Sequence, residues 1–229
     1  MCGRYRLKDP KRAFAWLEVA PPGDFPPRFN IAPAQRIPVV TAPGRLEAMT
    51  WGIVPAWAGE SSKALINARS ETIREKRTFK AAFAHRRCLV PADGFYEWRS
   101  IEQAGRRPYF ISLHGDAPFA MAGIWETGEE LPRCCLITTS ANSLVKPIHD
   151  RMPVIVRRED WSDWLSPAAL ADPGFQRIIT PYAPGEMIAL PVSPLVNSAK
   201  IDDPRCCEPA DAPPPSPPAK PDTQQTFGF

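Results

Sequence analysis

Hydrophobic and polar residues follow two different periods along this chain, and each period predicts a type of element. Asp9 followed by Pro10 is typical of a helix N-terminus, and Phe14, Trp16 and Leu17 supply the apolar face of the helix that follows. A helical period also runs through TFKAAFAHRRC (78–88), and EDWSDWL (159–165) predicts a short helix.

Short apolar or alternating segments predict strands. They are RIPVVT (36–41), RLEAMTWGIVP (45–55), RPYFISL (107–113), FAMAGIWET (119–127), CCLITTS (134–140) and MPVIV (152–156). Gly115 and Asp116 are turn formers, and we expect them to join 107–113 to 119–127 as a hairpin. Strands linked mostly by hairpins favour an antiparallel or mixed sheet, so the predicted fold class is α+β.

Length and composition indicate a single domain. The 229 residues are 44% hydrophobic, which is enough for one sizeable core. From Pro209 onward the sequence is dense in proline and poor in large apolar residues. We therefore expect one domain over 1–208 and a disordered tail over 209–229.

The chain has neither a long apolar stretch nor the apolar start of a signal peptide, so we expect a cytoplasmic protein with no membrane partner. Its six cysteines stand at positions 2, 88, 134, 135, 206 and 207 without a C-x-x-C spacing. That pattern indicates reduced thiols, with neither a disulfide framework nor a zinc site. We expect no metal and no cofactor.

The charge is concentrated in one region. The whole chain carries a formal charge of +3, but residues 69–87 hold seven Lys or Arg against two Glu. Such a run fits either a solvated helical face or a surface that binds phosphates, and both interpretations stay open.

Cys2 is a candidate nucleophile. If Met1 is removed, residue 2 carries an α-amine and a thiol together, and the amine, with a pKa of about 7.7–8.0, is partly neutral near pH 7.5. Arg4 and Arg6 are expected to favour the thiolate. The alternative is that Cys2 is a small apolar residue that anchors a first strand.

Three further polar residues stand in apolar surroundings. Asn67 follows Leu65 and Ile66, where a turn or capping role is the alternative to a functional one. Glu97 lies within GFYEW, and a carboxyl group among aromatic rings should have a raised pKa and serve as a general acid near neutrality. His149, in KPIHDRMPV, taken alone fits a structural histidine.

These residues recur within a series of spaced motifs. The motifs are MCGRY, FNIAPAQ, WGIVPAW, INARSET, RCLVPADGFYEW, TTSAN, IHDRMPV and the VN at 196–197. In this order they resemble the SOS response-associated peptidase (SRAP) family, whose members shield abasic sites in single-stranded DNA. The resemblance implies one domain with flanking helices and a mixed, largely antiparallel sheet curled into a pseudo-barrel.

The resemblance also implies a chemistry. The α-amine of Cys2 would form an imine with the aldehyde of an abasic sugar, and the thiol would close a thiazolidine ring. Glu97 would assist sugar ring opening and proton transfer, His149 would be the second acid–base group and assist reversal, and Asn67 would orient the amine. Autoproteolytic peptidase or lyase activity is implied as well.

The expected partner is single-stranded DNA containing abasic sites, with the protein a monomer that associates with the nucleoid when bound to damaged DNA. By resemblance, the phosphate contacts are Arg4, Arg69, Arg77 and Arg151, and the surfaces for unpaired bases are Trp51, Trp98 and Pro33. Trp51 and Trp98 also fit a core role. The terminal QQTFGF faintly resembles peptides that bind a sliding clamp, a second candidate partner.

Two rival functions remain at this stage. The first is a cysteine peptidase with Cys2 as nucleophile, His149 as base and Asn67 as a polarising group, its activity limited to removal of Met1 or extending further. The second is a module that reads modified bases without covalent chemistry.

Overall fold

The computed structural model describes residues 2–21, 23–55, 63–103, 105–128 and 130–210. The strands in these ranges are β1 Tyr5–Leu7, β2 Arg28–Ile31, β3 Arg36–Ala42, β4 Arg45–Trp51, β5 Asn67–Arg69, β6 Arg87–Ala92, β7 Gly94–Ile101, β8 Gly105–Leu113, β9 Phe119–Glu126, β10 Arg133–Ser140, β11 Arg151–Pro153, β12 Ile155–Val156 and β13 Met187–Pro191. The α-helices are α1 Pro10–Trp16, α2 Arg77–His85, α3 Trp161–Leu165 and α4 Asp172–Ile179.

The larger sheet forms a ring of strands. Its order is β11-β10-β4-β3-β6-β9-β12, and β10 pairs with β9 as well as with β4, which closes the circuit. The β10–β4 and β10–β5 pairs are parallel, whereas the other pairs of this sheet are antiparallel. The expected α+β fold with a mixed, largely antiparallel pseudo-barrel is therefore confirmed.

A second sheet, of order β13-β8-β7-β1-β2, packs beside the ring and has two apolar faces. Because side chains alternate across a strand, Phe95 and Ile111 point inward to the main core, while Tyr96 and Phe110 point outward. The outward pair is covered by the C-terminal segment through Val192, Val196 and Cys206. The end of the chain thus closes the outer face of the sheet that carries its beginning.

The predicted hairpin between 107–113 and 119–127 is wrong. β8 pairs with β7 and β13, whereas β9 pairs with β6, β10 and β12 in the other sheet. Gly115 and Asp116 do turn the chain, both at positive φ, but the turn carries it between sheets, and Arg6 and Lys8 hold it there through Asp116. Turn chemistry predicts that a chain reverses, and it does not identify the strand's partner.

The predicted helices are present. Asp9 caps α1 by accepting a hydrogen bond from the Arg12 amide at 3.0 Å, and α2 and α3 fall within the segments of helical period. In the described ranges no helix has the length and apolar character needed to cross a membrane. The Pro-rich tail from 211 onward, with its QQTFGF segment, lies outside the described residues, and so does Trp57 of WGIVPAW.

Replacing Gly94 by Ala should destabilise the fold, because a Cβ there would stand 1.9 Å from the Phe110 ring. Gly94 opens β7, so the change strains the strand that carries Glu97. We expect a loss of about 1–3 kcal/mol in the free energy of unfolding, measured by urea denaturation.

The matched control is Gly185→Ala, where a new Cβ meets no atom within 4 Å. Combining Gly94→Ala with Phe110→Leu should restore part of the loss, since the smaller side chain vacates the space. Equal stabilities of the Gly94 and Gly185 variants would contradict this account of the β7–β8 contact.

Candidate functional site

The structure brings Cys2, Asn67, Glu97 and His149 together where the two sheets meet. Cys2 precedes β1 and Glu97 lies in β7, both in the five-stranded sheet. Asn67 begins β5, and His149 lies between β10 and β11, both in the ring sheet. Each sheet therefore contributes two of the four residues.

Cys2 is fully buried and held by its backbone. Asn67 Nδ2 donates a hydrogen bond to the Cys2 carbonyl oxygen at 2.8 Å. Burial, with the nearby Glu97 carboxylate adding to it, holds the pKa of the Cys2 thiol well above its ordinary value. The expectation that Arg4 and Arg6 favour a thiolate is therefore wrong, and sulfur is a thiol at neutral pH.

The two arginines point elsewhere. Arg4 Nη1 donates to Asn30 Oδ1 at 2.9 Å and to the Val196 carbonyl at 2.7 Å, which ties the chain start to the C-terminal segment. Arg6 forms a buried ion pair with Asp93 and a partly exposed one with Asp116. Both guanidinium groups are thus engaged in holding the fold.

Glu97 is only 2% exposed. Burial raises the pKa of Glu97 to about 7, and the nearby Asp150 carboxylate adds to the increase. A carboxyl group with this pKa is divided between its acid and base forms near neutrality, so it can donate a proton in one step and accept one in the next. This is the behaviour that its aromatic sequence context predicts.

His149 is half-buried beside Asp150 and Arg151. The Arg151 backbone N–H donates to His149 Nδ1 at 3.0 Å, and Asp150 Oδ1 lies 2.9 Å from the same nitrogen. Burial lowers the pKa of His149, while Asp150 opposes the change. The lowered pKa favours the neutral form of the ring at pH 7.

The predicted phosphate contacts have different surroundings. Arg69 is exposed at the end of β5, two residues from Asn67. Arg151 forms a two-pronged pair with Glu71, with Nη2–Oε2 at 2.9 Å, and also binds the Thr138 carbonyl at 2.6 Å. Arg77 is the exposed first residue of α2, and within the described ranges no hydrogen bond or ion pair joins it to the four-residue cluster.

The three residues predicted to contact unpaired bases differ in their exposure. Trp51 is fully buried against Tyr5, with its Nε1 donating to the Ile66 carbonyl, so its ring presents no face to a base. Trp98 is half-buried, and its Nε1 donates to Asn197 Oδ1 at 2.7 Å. Pro33 is half-buried in the turn after β2.

Sequence reasoning missed the residues that hold the site residues in place. They are Asn30 beside Arg4, Glu71 and Thr138 beside Arg151, and Asn197 beside Trp98. All four lie within quoted motifs, in FNIAPAQ, INARSET, TTSAN and VN, and that position is the signal that could have found them. Among the described residues, no group of three or more His, Cys, Asp or Glu side chains is arranged to hold a metal ion.

The protein combines two features: a ring of strands beside a second sheet, and a cysteine at position 2 where the two sheets meet. The family model described as SOS response associated peptidase (SRAP) matches residues 1–199. The chain belongs to the SRAP family.

Its relatives are named for abasic sites. The chain is 37% identical over 222 residues to the abasic site processing protein YoqW of Bacillus subtilis, an alignment that covers 91% of this chain and 99% of YoqW. It is 38% identical to YoaM of Bacillus subtilis, covering 87% of this chain and 94% of YoaM. It is 32% identical to HMCES of Rattus norvegicus, covering 92% of this chain and 76% of HMCES.

Solved structures share the fold. A crystal structure of a protein from Bacteroides thetaiotaomicron superposes with a TM-score of 0.78 at 26% identity, covering 91% of this chain and all of that one. A protein from Bordetella bronchiseptica gives a TM-score of 0.72 at 26% identity, covering 84% of this chain and all of that one.

Replacing Glu97 by Gln should remove a pH dependence from the free energy of unfolding. Because burial raises the pKa of Glu97 to about 7, above the roughly 4.3 of an exposed Glu, the folded protein keeps a proton that the unfolded chain releases. This contribution is complete below pH ~4.3 and is lost as the pH rises to about 7, by on the order of 3 kcal/mol.

Urea denaturation of both proteins across this pH range measures the difference. The Glu97→Gln protein should show the flatter pH profile, and Glu47→Gln, on β4 of the ring, is the control for loss of one carboxylate. Parallel profiles for wild type and Glu97→Gln would show that Glu97 titrates normally in the folded state.

Proposed function

We propose that this protein processes abasic sites in single-stranded DNA and traps them covalently through Cys2. The observation that carries the proposal is the meeting of Cys2, Asn67, Glu97 and His149 at one junction, in a chain whose relatives are named abasic site processing proteins. Removal of Met1 supplies the α-amine that the chemistry requires.

The reaction is a condensation followed by a ring closure. The Cys2 amine attacks C1′ of the ring-opened sugar, a C–N bond forms, and the aldehyde oxygen leaves as water to give an imine. The thiol sulfur then bonds to the imine carbon, the C=N electron pair moves to nitrogen, and the thiol proton is transferred there. The product is a five-membered thiazolidine.

Glu97 serves both steps. Its acid form donates a proton to the departing oxygen, and the resulting carboxylate takes a proton from the amine nitrogen as the C=N bond forms. The restored acid then protonates the imine nitrogen as sulfur bonds to carbon, and its carboxylate accepts the proton of the thiol. A base is required because burial holds the pKa of the Cys2 thiol above neutrality. A pKa of about 7 lets Glu97 change roles without a change of pH.

Asn67 positions the amine. Its Nδ2 holds the Cys2 carbonyl, while its Oδ1 is buried and has no hydrogen-bond partner among the described residues. A buried acceptor without a donor costs about 1–3 kcal/mol, and an amine N–H of residue 2 would satisfy it. The pairing would direct the nitrogen lone pair toward the sugar.

His149 is the second acid–base group. Because the Arg151 amide donates to Nδ1, we assign the proton transfer to Nε2. We assign His149 to proton transfer during sugar ring opening and during reversal of the adduct. Arg69, exposed beside Asn67, and the half-buried ring of Trp98 are the proposed contacts to a phosphate and a base.

The state of the thiol separates the trap from a cysteine peptidase. A peptidase cysteine is a thiolate with a lowered pKa, whereas the pKa of the Cys2 thiol is raised by burial and by Glu97. An amine-first route does not need a thiolate, because the thiol reacts only after the imine has formed beside it. The raised pKa of the thiol favours the covalent trap over the peptidase. It does not distinguish the trap from a module that reads modified bases without covalent chemistry, and that distinction needs the experiment below.

The trap predicts different failures for different changes at the N-terminus. Purified protein is incubated with a uracil-containing strand and its glycosylase, and the adduct is followed by denaturing gel and mass spectrometry. Cys2→Ala keeps the amine, so borohydride should capture an imine, but no adduct should survive heating without reductant. One residue added before Cys2 keeps the thiol yet removes the free amine, and no adduct should form.

The three candidate functions predict different results in this experiment. A heat-stable shift from the wild-type protein supports the trap. Peptide cleavage without a shift indicates a peptidase, and retention that salt reverses indicates a reader. A stable adduct from the extended protein, with the added residue still attached, would overturn the thiazolidine mechanism.

Glu97→Gln should slow adduct formation by a factor on the order of 10² and leave non-covalent binding intact, since the amide keeps the size but cannot exchange a proton. His149→Ala should slow formation and should slow reversal at least as much. Single-turnover experiments measure the rate of adduct formation. The rate of reversal is measured as release of DNA from the adduct after an excess of competitor abasic DNA is added. Wild-type rates in both variants would remove these residues from the mechanism.

A further inference from the structure

The loop between β10 and β11 is held in place by hydrogen bonds of its backbone. The Ala141 amide donates to the Asp150 carbonyl at 3.0 Å, and the His149 amide donates to the Val145 carbonyl at 3.0 Å. Asn142, which is buried, accepts a hydrogen bond from the Val145 amide through its side-chain oxygen at 2.9 Å. The backbone at His149 and Asp150 is therefore fixed, although the Asp150 side chain is 84% exposed.

One nitrogen of the His149 ring has both a donor and a carboxylate beside it. The Arg151 backbone N–H donates to Nδ1 at 3.0 Å, and Asp150 Oδ1 lies 2.9 Å from the same atom. The amide suits a neutral ring in which Nδ1 is an acceptor, whereas the carboxylate suits a ring in which Nδ1 carries a proton. The surroundings of Nδ1 thus accommodate both protonation states of His149.

The other charged groups near this ring oppose its protonation. Burial lowers the pKa of His149, and the positive charges of the N-terminal amine and of Arg106 on β8 lower it further, whereas Asp150 raises it. The Arg151 guanidinium is paired with Glu71, which offsets its charge. Among these groups, Asp150 supplies the negative charge that favours the imidazolium.

The Asp150 carboxylate also acts on Glu97. Burial raises the pKa of Glu97 to about 7, the N-terminal amine opposes the increase, and Asp150 adds to it. Glu97 belongs to the five-stranded sheet and His149 to the ring sheet, so the charge of Asp150 reaches an acid–base group from each side of the junction. In both groups it favours the form that carries the proton.

We propose that Asp150 is the counter-ion of protonated His149 and thereby a positioning residue for the proton transfers of the abasic-site reaction. The inference rests on the proposed function and adds a fifth residue to its site. With a proton on Nδ1 beside the Asp150 carboxylate, Nε2 is the atom that gains and loses the transferred proton. Uptake of a substrate proton at Nε2 gives an imidazolium that the carboxylate stabilises, and return of that proton restores the neutral ring.

The pKa of His149 tests this pairing without DNA. The chain has three histidines, so NMR titration follows each imidazole separately, and His149→Ala identifies the signal of His149. Asp150→Asn should lower the pKa of His149 by about half a pH unit, because a nearby negative charge no longer favours the imidazolium. Asp150→Glu should restore part of the loss, and His85 and His114 should titrate as in the wild type. An unchanged pKa of His149 in Asp150→Asn would overturn the proposal.

Adduct kinetics test the role of Asp150 in the reaction. Single-turnover rates of formation and reversal on abasic DNA are measured at saturating protein across the neutral pH range. Asp150→Asn should shift both rate profiles toward lower pH, because the pKa values of His149 and Glu97 fall together. At neutral pH reversal should be slower by about threefold, since half a pH unit changes the protonated fraction of the ring by that factor. Damage to the fold would lower the rates without moving the profiles.

The matched control is Asp24→Asn, which removes one exposed carboxylate from the segment before β2 and should leave the profiles in their wild-type positions. Both variants should keep the wild-type melting temperature, because both side chains are exposed. Rate profiles of Asp150→Asn that coincide with those of Asp24→Asn would overturn the role in the reaction. Absence of any adduct from the wild-type protein would instead refute the covalent trap, and the NMR titration would still decide whether Asp150 pairs with His149.

Discussion

The site depends on the position of β1 inside the five-stranded sheet. β1 lies between β7 and β2, so the start of the chain is hydrogen-bonded on both sides instead of trailing from an edge. Arg4 then fastens the segment to Val196, and Asn67 holds the Cys2 carbonyl. These bonds remove the conformational freedom that a chain terminus ordinarily has, and they fix Cys2 at the junction of the two sheets.

Desolvation at this junction has two linked effects. It raises the pKa of Glu97 to about 7 and also raises the pKa of the Cys2 thiol, to which the Glu97 carboxylate adds. A site of this kind is poorly suited to thiolate attack and well suited to a sequence in which a carboxyl group moves protons for an amine and then for a thiol. The burial that raises the pKa of Glu97 thus also favours the order of the proposed chemistry, in which the amine reacts before the thiol.

Features that depend on neighbouring residues were predicted from the sequence, whereas features that depend on residues far apart in the chain were not. The Asp9 cap and the helical period before Arg87 depend on neighbouring residues, and both elements are present. The partner of β8 and the burial of Trp51 depend on residues far along the chain, and a periodic pattern does not contain that information.

In the candidate site, too, some features could be predicted from the sequence and others only from the structure. Its four central residues came from motifs, whereas the ion pair between Arg151 and Glu71 and the bond from Arg4 to Val196 required coordinates. The arginines of the β7–β8 hairpin are visible in the sequence as EWRSIEQAGRRPYF, but only the register shows that Arg99 faces Arg107.

The contact between Arg4 and Val196 has a consequence for biosynthesis. The two residues are separated by 192 positions, so during translation the partner of Arg4 emerges long after it. At about 5–20 residues per second the interval is roughly 10–40 s. Throughout that time Arg4 lacks this partner, and the hydrogen bond that ties the start of the domain to its C-terminal segment forms only after residue 196 has been made. The order in which the ribosome delivers the chain thereby makes this contact between the two ends of the domain one of the last to form.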